Sequence, residues 1–313
     1  MDVVDNRSVL DFQKFTFSGH LRAHVYKVLD ENIKLGHADY ACYWTMELLC
    51  SGLVHSYWNT VFLSSATHLC RSPNIFPYLS RMYERFAPVE DRYSVQNMTD
   101  IRNNQEVRQL LCEVSATAAL CKKSKLPSLP KIKPEHDFTP LVIQESLKAP
   151  SNVYARSIMK QEDPMELFIP VNELIYCLRE RDSKCLYWIS WILAFASKYR
   201  AETKQYLTCA YRSNDYVEEK YLRSPIWIIW ACVKDVASPN ITEYTDTLFK
   251  MYCLRWAKGD LKKRLPFLIT SILYICEPLD LYPVPQSISA VQEVTINIPQ
   301  WINAIIHTKK TFE

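Results

Sequence analysis

Glycine is the residue this chain does without: there are four in 313, against 17 prolines. A backbone that must turn with positive φ, or come close to a phosphate, needs glycine at that point. Tight β-hairpins, dinucleotide-binding turns and phosphate-cradling loops all depend on it. Neither G-x-x-x-x-G-K-[ST] nor G-x-G-x-x-G occurs, and there is no G-x-S-x-G elbow. Glycine this scarce argues for helices joined by proline-rich and polar connectors, and against a nucleotide-binding α/β domain. The expected fold class is all-α, a multi-helix bundle of αα-hairpins.

Apolar residues recur at helical spacing through most of the chain. A first helix is expected over 19–32, capped by Ser18, with Leu21, Val25, Val28 and Leu29 on one face and Gly36 as its stop. Helices over 38–51 and 53–69 follow. Ser72-Pro73 opens a fourth, which Pro88 ends, and Asn104 opens a fifth to about Cys121. Later come a short helix at 151–160, a helix from Asp163-Pro164 to Arg181 kinked at Pro170, and helices over 183–199, 220–237 and 260–276. Thr242 is read as the cap of another. The stretch V-T-I-N-I at 294–298 is read as extended, with a last helix around 299–307.

Residues 122–150 interrupt the pattern. They hold Lys122, Lys123, Lys125, Lys131 and Lys133, with prolines at 127, 130, 134, 140 and 150. Proline at that density prevents regular helix and favours extended backbone. The expected organisation is an N-terminal helical half at 1–121, a connector at 122–150, and a C-terminal helical half at 151–313. Each half holds a Tyr-Trp helix. Tyr43-Trp44 precedes Leu48-Leu49, and Tyr187-Trp188 precedes Ile192-Leu193 at the same offset. A duplicated hairpin and coincidence in a Leu- and Trp-rich chain both account for this. Trp44 and Cys42 are expected in the core.

Hydrophobic residues make up 48% and the net charge is +3, which describes a globular chain without the bulk charge of a nucleic-acid binder. The 11 cysteines form no C-x-x-C, and most lie in apolar helical stretches, as reduced core thiols of a reducing compartment do. The start is acidic, so no signal peptide is expected. The longest apolar runs, 185–196 and 267–276, fall short of a membrane span, so no membrane partner is expected.

Chemistry-bearing constellations are sparse. His20 and His24 lie four apart, but HLRAH lacks the glutamate of a zincin and a third ligand. The carboxylates around Glu180 and Asp182 interleave with arginine, as on a solvated helix end. No catalytic, cofactor or metal site is expected, and no cofactor. Two basic patches remain: Lys122, Lys123, Lys125, Lys131 and Lys133 in the connector, and Lys258, Lys262, Lys263 and Arg264 further on. Either can touch phosphates or a partner protein, although neither interleaves aromatics for base stacking.

HADYACYWTMELLCSG, followed by Tyr57-Trp58, Phe62, Ser72-Pro73-Asn74 and Tyr78-Leu79, resembles an uncharacterised helical family of large nucleocytoplasmic DNA viruses. LKAPSNVYA (147–155), EDPMELFIPVNE (162–173) and SPIWIIW (224–230) look like later blocks of it. Residues 38–79 are also similar to the helical collar that follows the ATPase core in clamp-loader-related AAA+ proteins. The collar's acidic, glycine-containing signature is missing around 64–71, and so is the ATPase core. These resemblances imply subunit contact through helix faces in place of catalysis: an accessory or assembly protein of viral DNA replication or genome processing, located in the host cytoplasm or viral factory. A virion-associated structural protein is the alternative. Protein partners or self-association follow from either.

Overall fold

The computed structural model describes residues 2–257, 259–284 and 289–309. It is all-α. Fourteen α-helices occur in order among these residues: α1 (Arg22–Leu35), α2 (Ala38–Cys50), α3 (Val54–His68), α4 (Ile75–Glu90), α5 (Gln105–Leu120), α6 (Pro134–Asp137), α7 (Pro140–Ser146), α8 (Phe168–Arg179), α9 (Cys185–Thr203), α10 (Ile226–Val236), α11 (Pro239–Cys253), α12 (Leu261–Cys276), α13 (Ser289–Thr295) and α14 (Ile298–Lys309). The described residues contain no strand, only an isolated bridge between Phe15 and Leu21. None of the described helices is long and apolar enough to cross a membrane.

The chain divides into two compact units. The first is Met1–Lys125 with Asp280–Glu313, and the second is Leu126–Leu279. This corrects the linear reading of 151–313 as one C-terminal half, because the last 34 residues return to the first unit. The reason lies in α14, which packs against α2 and α5, as does α13. Ile298, Ile302 and Ile305, at helical spacing, are the residues of α14 that bury. The V-T-I-N-I stretch is therefore the end of α13 and the start of α14, and its Thr295 and Ile298 sides are buried.

The first unit is built round α2. Ala41, Cys42, Thr45, Met46, Leu48 and Leu49 are buried on several sides of the helix, which α1, α3, α5, α13 and α14 surround. A helix hydrophobic all round has to be enclosed in this way. Its polar residues find partners inside. The Thr45 hydroxyl donates to the Ala41 carbonyl and lies 2.7 Å from Ser115 Oγ. Tyr57 donates from α3 to the Leu111 carbonyl of α5 at 2.7 Å. Trp44 departs from expectation. It is only part-buried, with its edge against His20 and His24 at 5.3 and 6.2 Å between ring centres. The fully buried tryptophans are Trp58, Trp188 and Trp230.

Glycine marks the two turns beside this helix. Gly36 ends α1 at φ 82°, its N–H directed at the Asn32 and Ile33 carbonyls, and Gly52 follows α2 at φ 68°. Asn104 caps α5 by accepting from the Val107 N–H at 3.2 Å. Ser18 does not cap α1: it is buried, and the helix begins four residues later at Arg22. Pro88 lies in the last turn of α4 without stopping it.

The second unit is built round α8, which touches α9, α10, α12 and the 3-10 turn Tyr154–Ser157. The Tyr-Trp helix α9 has a different role from α2. Its packing is on α8 and α6, and the residues after Ile192 are only partly covered. The connector is also more ordered than proline content suggested, because Pro134 and Pro140 stand in the first turns of α6 and α7, where a missing N–H costs nothing. Pro239 starts α11 in the same way, displacing Thr242 from the capping position.

Two outcomes follow. Gly36→Ala places a Cβ in the left-handed region and is expected to destabilise the chain by about 1–2 kcal/mol, read by denaturant titration. Trypsin cleavage at Lys125 or Lys131 is expected to give two fragments on a denaturing gel that co-elute by gel filtration, since α13 and α14 remain docked on α2 and α5. Separate elution would show that this docking is not stable.

Candidate functional site

The predicted basic residues fall in both units and have different environments. Lys123 and Arg264 are corrections, since both serve as internal helix caps. Lys123 Nζ donates to the Ala118 and Cys121 carbonyls at 3.0 and 2.7 Å, closing the C-terminus of α5, and burial pushes it down to about 8. Arg264 is buried and donates to the Met251 and Tyr252 carbonyls at 3.2 and 2.8 Å, closing α11. Lys122 is exposed, 3.4 Å from Asp280 and over the Tyr282 ring. Lys125 is exposed in the first unit, and Lys131, Lys133, Lys262 and Lys263 are exposed in the second. Lys258 lies outside the described residues.

Sequence reasoning missed a denser cluster at the N-terminal arm. Asp5 carries a buried carboxylate that accepts from Arg7 Nη2 at 2.7 Å and lies 2.9 Å from Lys309 Nζ on α14. Arg102 donates to the Asp5 carbonyl at 2.7 Å and to the last carbonyl of α2, Cys50, at 3.1 Å. Asn103 exchanges two hydrogen bonds with the Val3 backbone. The cations of Arg7, Arg102 and Lys309 all lie within 6.0 Å of the Phe17 ring centre. Burial opposes the Asp5 charge, but hydrogen bonds from Arg7 and Lys309 outweigh it and hold the carboxyl well below the usual range. An open cavity of about 470 Å³ lies beside this cluster, lined in part by Asn6, Arg7, Asp11 and Lys309. The cluster is a charged cross-link that fixes the arm to α14.

The second unit repeats the device. Asp163, expected at the start of a helix, instead makes a bidentate pair with Arg212 at 2.9 and 2.7 Å and accepts from the Lys160 and Ala210 N–H groups. Burial again opposes the charge, and these bonds hold the carboxyl low. Glu173 on α8 accepts from the Lys148 N–H at 2.7 Å and the Ala149 N–H at 3.1 Å. Its neighbour Asn172 accepts from the Ala155 N–H and donates to the Ser151 carbonyl. The blocks 147–155 and 162–173 are thus in direct contact. A charged residue inside an apolar run, as in MELLC or VNELIY, is the sequence signal that marks such positions.

Among the described residues no three His, Cys, Asp or Glu side chains converge as metal ligands would. His20 precedes α1, so it does not share a helix face with His24. The chain matches no protein-family model, no curated protein and no solved structure.

One titratable pair stands apart. Glu90, at the end of α4, is buried, and burial with the adjacent Asp91 charge pushes it up to about 7. His55 Nδ1 lies 2.6 Å from its Oε1. Glu90 therefore holds a proton in the folded chain that it releases as pH rises through about 7. A raised folded-state pKa stabilises below the unfolded value of 4.5, and that contribution is lost as pH rises through about 7. The melting temperature is therefore expected to fall between roughly pH 5 and pH 8.5, a span that brackets this titration. Glu90→Gln should flatten that slope, and an unchanged slope would remove Glu90 as its source.

Proposed function

We propose that this chain is a non-catalytic helical accessory or assembly protein that works through surface contact with protein partners and with nucleic acid. The observation that carries the reading is how charged side chains are divided. Asp5, Glu47, Asp163, Glu173, Lys123, Arg212 and Arg264 are all engaged in holding helix ends, connectors and the arm in place. Of the basic-patch residues read from the sequence, Lys125, Lys131 and Lys133 on the connector and Lys262 and Lys263 on the first turn of α12 are exposed, as is Lys122 beside Asp280. Lysines displayed this way contact phosphates without reading sequence. Large apolar side chains are also exposed, including Tyr40 on α2 at 64%, Leu141 on α7 at 65% and Ile296 at 77%. Apolar groups at such exposure supply contact area for partners.

The resemblance of residues 20–235 to the viral family supplies the setting, viral DNA replication or genome processing, with collar-like subunit contact as the mode of action. A tagged chain recovered from infected cells is expected to bring down replication or genome-processing proteins by mass spectrometry. In parallel, charge reversal of Lys131, Lys133, Lys262 and Lys263 together is expected to weaken binding to a labelled DNA duplex about tenfold or more, with a shallower salt dependence. Unchanged duplex binding would remove the lysines from the reading. Stoichiometric presence in purified particles would favour the structural alternative.

A further inference from the structure

Eleven cysteines place ten thiols in the interior and one, Cys276, at partial exposure. Cys276 is the last residue of α12, and Cys185 is the first of α9. Their sulfurs are 3.8 Å apart, in contact but unbonded. We propose that Cys185 and Cys276 form an oxidant-responsive dithiol, which a hydroperoxide closes into a disulfide joining α9 to α12.

Three features support the assignment. Access selects Cys276, since the other thiols are covered. The hydrogen bond from the Cys185 thiol holds Cys276 below the ordinary thiol range, against burial and the Glu277 and Asp182 charges. Cys185 is correspondingly raised by the same contact and by burial, so it keeps its proton. Cys276 is therefore the attacking sulfur and Cys185 the resolving one. Geometry permits closure, because both residues sit at helix ends. Glu277, which follows, has extended backbone at φ −118° and ψ 151°, and the residue before Cys185 lies outside α9. Closure brings the sulfurs from 3.8 Å to a bonded separation of about 2.05 Å, at two helix ends.

The chemistry balances. The Cys276 thiolate attacks one oxygen of hydrogen peroxide, the O–O bond breaks, and the departing hydroxide takes a proton to become water. Cys276 is then a sulfenic acid. The Cys185 sulfur attacks the Cys276 sulfur, the S–O bond breaks, and the leaving hydroxide takes the Cys185 proton as a second water. Two thiols are oxidised and one peroxide is reduced. In a reducing compartment such a bond is transient and signals exposure to oxidant.

The test is non-reducing peptide mapping of the full chain after treatment with near-stoichiometric hydrogen peroxide. The expected result is a peptide linked through Cys185 and Cys276, lighter by two hydrogens than its parts and separated by dithiothreitol. In Cys185→Ser, dimedone is expected to label Cys276, because the sulfenic acid has no resolving thiol. Cys276 driven to sulfinic acid in the unsubstituted chain while Cys185 stays a thiol would overturn the proposal. So would a bond from either residue to a third cysteine. The unsubstituted chain decides the matter even if the serine variant fails to fold.

Discussion

A carboxylate buried in an apolar helix must be met by donors, since an ionised group taken out of water without them costs several kcal/mol. Glu47 imposes this condition on the first unit. It lies on α2, the helix that five others surround, and is itself fully buried. The donors come from Ser18: its N–H reaches Glu47 Oε1 at 2.8 Å and its hydroxyl lies 2.7 Å from Oε2. Ser51, one turn on, accepts from the Phe17 N–H at 2.8 Å. Ser18 Oγ is also 3.2 Å from the Ile305 carbonyl of α14. One buried carboxyl side chain on the central helix is thus tied to the N-terminal arm, and through Ser18 to the C-terminal helix beside it. Phe12 and Phe17, buried along the arm, add the apolar area that such a course needs.

The second unit meets the same problem with different residues. Glu173 and Asn172 on α8 take the backbone of residues 148–155 as their partners, and Asp163 takes Arg212 together with two backbone N–H groups. In each case a charged or amide side chain orders a connector that has few apolar residues of its own. Arg102 and Arg264 serve as C-terminal caps of α2 and α11, where carbonyls lack intrahelical partners. Ionic groups thus act as fasteners between helices and loops, and the functional reading moves to the solvent-facing lysines and apolar side chains. The Cys185–Cys276 contact joins two helix ends as these fasteners do, with the difference that its bond depends on an oxidant.

Several local features were legible because they depend on neighbours in sequence. Gly36 stops α1, Asn104 caps α5, and the helical period identifies α2, α3, α5 and α12. Other readings failed where a distant residue outweighed the local signal. Ser18 has the chemistry of a cap, but Glu47 takes its donors. Asp163 precedes a proline in the manner of a helix start, but Arg212, 49 residues on, takes its carboxylate. Lys123 and Arg264 belong to basic runs, but carbonyls at helix ends were nearer than solvent. The prolines at 134 and 140 were counted as breakers, whereas their positions in the first turns make them helix starters.

Sequence by itself determined the class of structure. With four glycines the chain has few residues suited to positive φ, so hairpins and phosphate loops are disfavoured and amphipathic helices remain. It also set the place where the chain first leaves one unit for the other, because proline and lysine there supply little apolar surface to bury. Only the tertiary structure decided that the chain comes back. Residues 280–313 belong to the first unit because α14 presents Ile298, Ile302 and Ile305 to a surface made by α2 and α5, more than 170 residues earlier. It likewise decided that the two Tyr-Trp helices differ, Trp44 lying part-exposed beside two histidines and Trp188 fully enclosed. Periodicity states which face of a helix is apolar, and the partner that covers that face is set by the packing of the whole chain.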